Sequence, residues 1–295
     1  MVVLGKQWKK GEVLLADGAW GTEFLKRGLM QGCPPDEWNL SHPDIVREIT
    51  SEYLEAGADV ILTNTFGANR FRLEPHGLSD RVAEVNRAGA AHAREVASGK
   101  AIIAGDIGPT AQFLALGETS PDDLYAAFAE QARALAEAGV DWIVVESMTD
   151  AKEMALAVKA SAQTTGLPVV ASMTYNKTPR GYRTMMGDTP QDCVRAAQEA
   201  GAAVIGANCG SGIEDYVPLA PILRGLTGLP LWVKANAGMP TITAGKVTYP
   251  LTAEQYAAFV PGLVAAGVDV IGGCCGTDPR FIREIARKIP GRTGK

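Results

Sequence analysis

Cys209 and the adjacent pair Cys274 and Cys275 are the side chains in this chain best suited to act as a group. Thiolates are soft ligands. Three of them at one point favour zinc, leaving a fourth position for solvent, a weak protein ligand or a substrate. Their spacing is not that of a CxxC finger, so any convergence must come from the fold. The alternative is inert burial, since free cysteine is among the most buried residue types, and Cys33 and Cys193 are read that way. A disulfide framework is a poor reading: five cysteines is an odd number, and adjacent residues rarely reach disulfide geometry. Other metal schemes fare worse, because His42, His76 and His92 all fall in helical segments or their flanks and no HExxH occurs. There is no GxSxG elbow and no Walker loop. The run Gly272-Gly273-Cys274-Cys275-Gly276 would in principle cradle a phosphate, against which the acidic residues at the strand ends argue.

Three anionic sulfurs leave a zinc ion with one net negative charge. Such a centre polarises water poorly, but it suits a fourth sulfur held as thiolate at neutral pH. A thiolate so held attacks electrophilic carbon, which points to alkyl transfer onto a thiol substrate. Carboxylates at Asp17 and Glu146 would then bind a substrate ammonium group, and backbone N–H groups a carboxylate.

The elements that must bring these residues together alternate strictly between strand and helix. Eight strands are expected, at Val13–Asp17, Val60–Thr65, Ala101–Asp106, Trp142–Glu146, Val169–Met173, Val204–Asn208, Leu231–Ala235 and Val270–Gly273. Helical spacing marks Pro43–Ala56, Asp122–Ala138, Thr252–Ala266 and Pro279–Lys288, with Pro261 predicting a break in the third. Ser120-Pro121-Asp122-Asp123, Ser41-His42-Pro43-Asp44 and Thr277-Asp278-Pro279 read as helix starts. A weak repeat, EAGADVI, EAGVDWI, EAGAAVI and AAGVDVI, precedes each even-numbered strand and places glycine where a helix should end. Four such joints favour a closed barrel over an open sheet, so the expected fold is α/β, a single (β/α)8 TIM barrel over residues 1–295. In that fold function sits at the C-terminal strand ends. Here these carry Asp17, Asn64, Asp106, Glu146, Ser172, Cys209, Asn236 and Cys274-Cys275. Strands six and eight can converge at the mouth, which places the zinc site there.

Composition agrees. Across 295 residues, 46% are hydrophobic and 21% charged, enough apolar material for a large core. No run of about 18 apolar residues suggests a membrane span. The N-terminus, MVVLGKQWKKGEVLLADG, lacks the layout of a secretory signal, so the expected location is the cytoplasm. A net charge of −5 argues against a nucleic-acid partner.

Five motifs in order, Asp17-Gly18-Ala19-Trp20-Gly21-Thr22, Thr63-Asn64-Thr65-Phe66, Gly105-Asp106-Ile107-Gly108-Pro109, Gly206-Ala207-Asn208-Cys209-Gly210 and Gly272-Gly273-Cys274-Cys275-Gly276-Thr277, resemble those of the zinc-dependent homocysteine S-methyltransferases. The resemblance covers essentially the whole chain. It implies Zn2+ on Cys209, Cys274 and Cys275, L-homocysteine held near Asp17 and Glu146, and methionine as product. Asn236 is implied as a displaceable fourth ligand, and Thr22, Asn64, Asp106 and Ser172 complete the candidate substrate contacts. Asn236-Ala237-Gly238-Met239-Pro240 and Gly276 resemble most the homocysteine module of corrinoid-dependent methionine synthase, whereas the branch using S-methylmethionine usually carries Arg at the Gly276 position. Trp20, where that module commonly has Met, and Ala235, where it has Pro, are departures. The expected donor is a methyl-corrinoid protein arriving as a separate chain, or a small betaine- or sulfonium-type molecule. Two rival readings are a zinc-thiolate methyltransferase acting on another thiol or a corrinoid acceptor, and a non-catalytic barrel binding zinc or an amino acid.

Overall fold

The computed structural model describes residues 8, 11–30, 32–243 and 246–292. Half of the stretch compared above with a secretory signal lies outside them. The expected eight parallel strands form one sheet: β1 (Leu14–Leu15), β2 (Val60–Leu62), β3 (Ile102–Ile107), β4 (Trp142–Met148), β5 (Val169–Met173), β6 (Val204–Gly212), β7 (Leu231–Asn236) and β8 (Val270–Gly273). Each pairs with its neighbours in chain order, β8 returns to β1, and an Ala16–Val60 bridge joins β1 to β2. The result is a nearly closed TIM barrel. Its strands are apolar on both faces because helices cover the outside while Leu14, Leu62, Ile102, Trp142, Val144, Val170, Val204, Trp232 and Val270 fill the inside.

The repeat is joint chemistry. Gly57, Gly139, Gly201 and Gly267 all end helices at positive φ, between +79° and +99°, a conformation that costs glycine little. Two residues on, Asp59, Asp141 and Asp269 each accept the backbone N–H of a neighbouring strand, at Leu15, Ile103 and Leu231, with N···O of 2.8–2.9 Å. The third copy carries Ala203 at that place and makes no such bond.

Ser120 and Asp123 form a capping box, and Asp278 caps the helix Pro279–Ala286. Ser41 does not cap the helix Pro43–Glu55: its hydroxyl turns to Glu37 and His42 instead. The stretch around Pro261 is broken as expected, into Ala253–Ala257 and Val260–Ala265, with the proline in the first turn of the second piece, where its missing N–H costs nothing. β6 runs four residues past its expected end. Cys209 and Gly210 adopt φ of +62° and +58°, forming a bulge after which pairing with β7 resumes at Gly212–Asn236. Two hairpins, Asn176–Thr178 with Gly181–Arg183 and Thr241–Thr243 with Lys246–Thr248, extend the loops after β5 and β7. Among the described residues no helix is long and apolar enough to cross a membrane.

Candidate functional site

The bulge in β6 turns the Cys209 side chain toward the end of β8. The ligand atoms of Cys209, Cys274 and Cys275 all lie within 4.8 Å of one another, the one such grouping of three His, Cys, Asp or Glu among the described residues. Cys209 Sγ and Cys275 Sγ are 3.8 Å apart. Contact with Cys274 pushes the Cys209 thiol up from its ordinary range, and contact with Cys209 does the same to Cys275, with burial adding to both. Without a cation the trio therefore keeps its protons. Three thiols this close, with room for an ion among them, could hold a metal.

Their backbone is tied down from several sides. Tyr216 donates to the Cys209 carbonyl at 2.7 Å, and the Thr277 hydroxyl donates to the Cys274 carbonyl at 2.7 Å while accepting the Ala19 N–H. Asn208, directly before Cys209, is a hub. Its Oδ1 accepts the Ser147 N–H and the Ser172 hydroxyl, and its Nδ2 donates to Ser147 Oγ at 2.7 Å and lies 3.9 Å from Cys274 Sγ. Ser147 and Cys209, the two residues linked through Asn208, both sit at positive φ near 60°. Such strain costs on the order of 1–3 kcal/mol per residue and concentrates at functional sites.

Asn236, at the end of β7, donates its Nδ2 to the Gly210 carbonyl at 3.0 Å, while its buried Oδ1 has no hydrogen-bond partner. An unpaired buried carbonyl is costly unless a ligand completes it. Together with three thiols it makes a donor set that zinc accepts.

Beside the thiols lies a buried charged cluster. Asp106 and Glu146 are each at most 6% exposed, and Asp106 Oδ1 and Glu146 Oε2 are without partners. Burial, then the Glu146 charge, pushes the Asp106 carboxyl well above its ordinary range; burial also raises Glu146, against the pull of Lys234. Asp17 differs. Its Oδ1 takes Lys234 Nζ at 2.7 Å, and its Oδ2 accepts the Leu62 N–H and Trp20 Nε1 at 2.8 and 3.0 Å.

The other expected contacts are engaged elsewhere. Ser172 serves Asn208. Thr22 Oγ1 accepts the Gly276 N–H at 3.3 Å and so steadies the thiol loop. Asn64 donates to the Pro35 carbonyl and to Asn39 Oδ1, lacing the loops after β1 and β2. Reading for chemistry overlooked Lys234 and the supporting roles of Asn208 and Thr277. The signal for Lys234 was present: it shares the inward face of β7 with Trp232 and Asn236 at a spacing of two.

The family model described as Homocysteine S-methyltransferase matches residues 14–289. The chain belongs to the homocysteine S-methyltransferase family. Methionine synthases from Mycobacterium tuberculosis and Mycobacterium leprae are 32% and 30% identical to it over 94% of its length, which is 24% of theirs. The chain thus spans about a quarter of these curated relatives. The fold matches that of the Escherichia coli homocysteine methyltransferase MmuM in its metallated form, with a TM-score of 0.79 at 24% identity, covering 93% of this chain and 95% of that one.

Within this homocysteine S-methyltransferase barrel the motif glycines mark close approaches. A Cβ on Gly18 would meet the Tyr53 and Thr277 hydroxyls at 2.8–2.9 Å, and one on Gly276, at φ +82°, would overlap the Tyr249 ring. Tyr249 thus packs against Gly276 of the thiol loop, where a larger residue at position 276 would displace it.

Proposed function

We propose that this chain transfers a methyl group to the sulfur of L-homocysteine, giving methionine, with zinc held by Cys209, Cys274 and Cys275. The observation that carries the reading is the pairing of a three-thiol cluster with an orphaned Asn236 carbonyl on one side and open, buried carboxyl oxygens of Asp106 and Glu146 nearby. When bound, zinc would supply the positive charge that lets an acceptor thiol lose its proton at neutral pH.

The chain's own residues do the rest. Asp106 and Glu146 receive the substrate ammonium, which restores a charge balance that burial disfavours for the bare carboxylates. Asn208 and its partners fix the thiol-bearing backbone, and Asn236, whose Oδ1 has no partner, would hold the fourth ligand position in the absence of substrate. The sulfur lone pair forms the new S–CH3 bond as the donor–methyl bond breaks, its electrons staying with the donor and the thiol proton going to solvent. Holding the sulfur in line for that displacement is the main rate contribution of the protein.

The donor approaches from the mouth. Exposed apolar side chains stand on the loops after alternate strands: Met30 after β1, Phe113 and Leu116 after β3, Met185 and Met186 after β5, Met239 and Val247 after β7. This rim supports a macromolecular donor such as a methyl-corrinoid protein over a small betaine- or sulfonium-type one. The resemblance to methionine synthases over the matched quarter agrees with it.

Cys274→Ala tests the reading. It is expected to lower zinc affinity and methionine formation by about 100-fold or more. Full zinc content with full activity in that variant would overturn it. A protein that methylates other thiols but never homocysteine would shift the reading to a related methyltransferase.

A further inference from the structure

The chain returning from the hairpin after β7 is strapped across the thiol loop. Ala237 N–H donates to the Cys275 carbonyl at 3.0 Å, and Leu251 N–H donates to the Ala237 carbonyl at 3.1 Å. Residues 249–251 are thus tied to the end of β7, and the end of β7 to the thiols. Two glycines at positive φ let these layers close. A Cβ on Gly238 would meet Pro250 Cγ at 2.7 Å, and one on Gly276 would overlap the Tyr249 ring. Tyr249 is half-buried there, and its hydroxyl is hydrogen-bonded to the Cys275 side chain.

This contact differs in kind from most of those around the trio. Tyr216 and Thr277 hold backbone carbonyls of the thiol residues, whereas Tyr249 reaches a sulfur. Burial, then the neighbouring Cys275 charge, pushes the phenol well above its ordinary value, so it keeps its proton at neutral pH. A thiolate offers only lone pairs, so an ionised Cys275 can only accept from that hydroxyl. We propose that Tyr249 is a positioning residue that tunes the thiol centre: its hydroxyl draws charge from Cys275 Sγ and leaves a cation bound there readier to take a fourth thiolate. The proposal rests on the zinc and homocysteine reading above and deepens it. Hydrogen bonds to metal ligands from outside the coordination sphere change affinity by about 10- to 100-fold, so one hydroxyl is enough to be measured.

The test compares Tyr249→Phe, which keeps the ring over Gly276 and removes only the hydroxyl, with Tyr249→Leu, which removes both. Each is loaded with zinc, or with Co2+ as a visible substitute. In the cobalt form of Tyr249→Phe the sulfur-to-metal charge-transfer band is expected at longer wavelength than in the parent, because a sulfur relieved of a hydrogen bond holds its lone pairs less tightly. In the zinc form, affinity for L-homocysteine near neutral pH, read by calorimetry, is expected to fall by about 10-fold. Methionine formed per bound homocysteine with methyl iodide, a donor that needs no docking surface, is expected to rise. A loosened loop would lower both quantities, so the opposite movement separates tuning from packing. Tyr249→Leu is expected to show the same band shift and, in addition, weaker metal binding against a chelator. Should it not fold, the comparison of Tyr249→Phe with the parent still decides.

An unmoved band with unchanged homocysteine affinity in Tyr249→Phe would reduce Tyr249 to packing, and the proposal would fall. Joint loss of affinity and reactivity without a band shift would have the same consequence. If the cobalt-loaded parent showed no sulfur charge-transfer band, the metal reading would fail first and carry the proposal with it. If it showed the band yet bound no homocysteine, the acceptor reading alone would fail, and the band position in Tyr249→Phe would still decide the contact with Cys275.

Discussion

At the scale of residues, the three thiols act as one unit because mutual contact and burial favour their protonated forms. Metal must displace those protons, so zinc affinity should rise with pH across the neutral range and fall steeply in acid. Binding experiments in buffers of different ionisation enthalpy should show between about two and three protons released per zinc near neutrality. Release of none would mean the trio is already ionised. The thiols were legible in the sequence because their type restricts their chemistry and their place at strand ends restricts their neighbours. Lys234 was not, because a lysine within an apolar run reads as a stem that snorkels to water. Only the barrel reveals that its ammonium points to a buried aspartate. The ion pair of Asp17 was hidden for the same reason, its partner lying 217 residues away.

Among elements, the loops after β1 and β2 are laced to one another. Asp36 in the loop after β1 accepts the Gly67 N–H of the loop after β2 at 2.9 Å, and burial pushes its carboxyl up to about 6. Since this folded-state value lies above that of the unfolded chain, the stabilising proton is fully present below about pH 4 and lost as pH rises through 6. The parent should lose on the order of 2–3 kcal/mol across that window from this group. Asp36→Asn should flatten the change, as followed by urea unfolding at pH 4 and 7, and an unchanged slope would count against the assignment. Gly276 gives a second case. Alanine there would strain a φ of +82° and displace Tyr249 from the thiol loop. Gly276→Ala is expected to weaken zinc by about 10-fold in competition with a chelator, with unaltered affinity as the contrary result. Strand positions were readable from apolar runs, and β5 and β8 keep their expected bounds. The extension of β6 was not readable, since Gly-Ser-Gly after Cys209 has no strand signature and pairs only because β7 lies alongside.

For the whole molecule, the alternation of strands and helices with four glycine joints was enough to specify the barrel, because parallel strands with short joints have few other closed arrangements. The barrel in turn accounts for cysteines 65 residues apart and more meeting at one point. What the donor is could not be read, because the mouth is built from loops whose side chains pack by context. The most direct measurement is a titration of L-homocysteine into zinc-loaded protein, following proton release, beside a metal-stripped control. The expected result is zinc-dependent binding that releases about one proton per homocysteine at neutral pH. Binding that ignored the metal, or no binding to the zinc form at all, would contradict homocysteine as the acceptor and leave only the barrel and its thiol cluster standing.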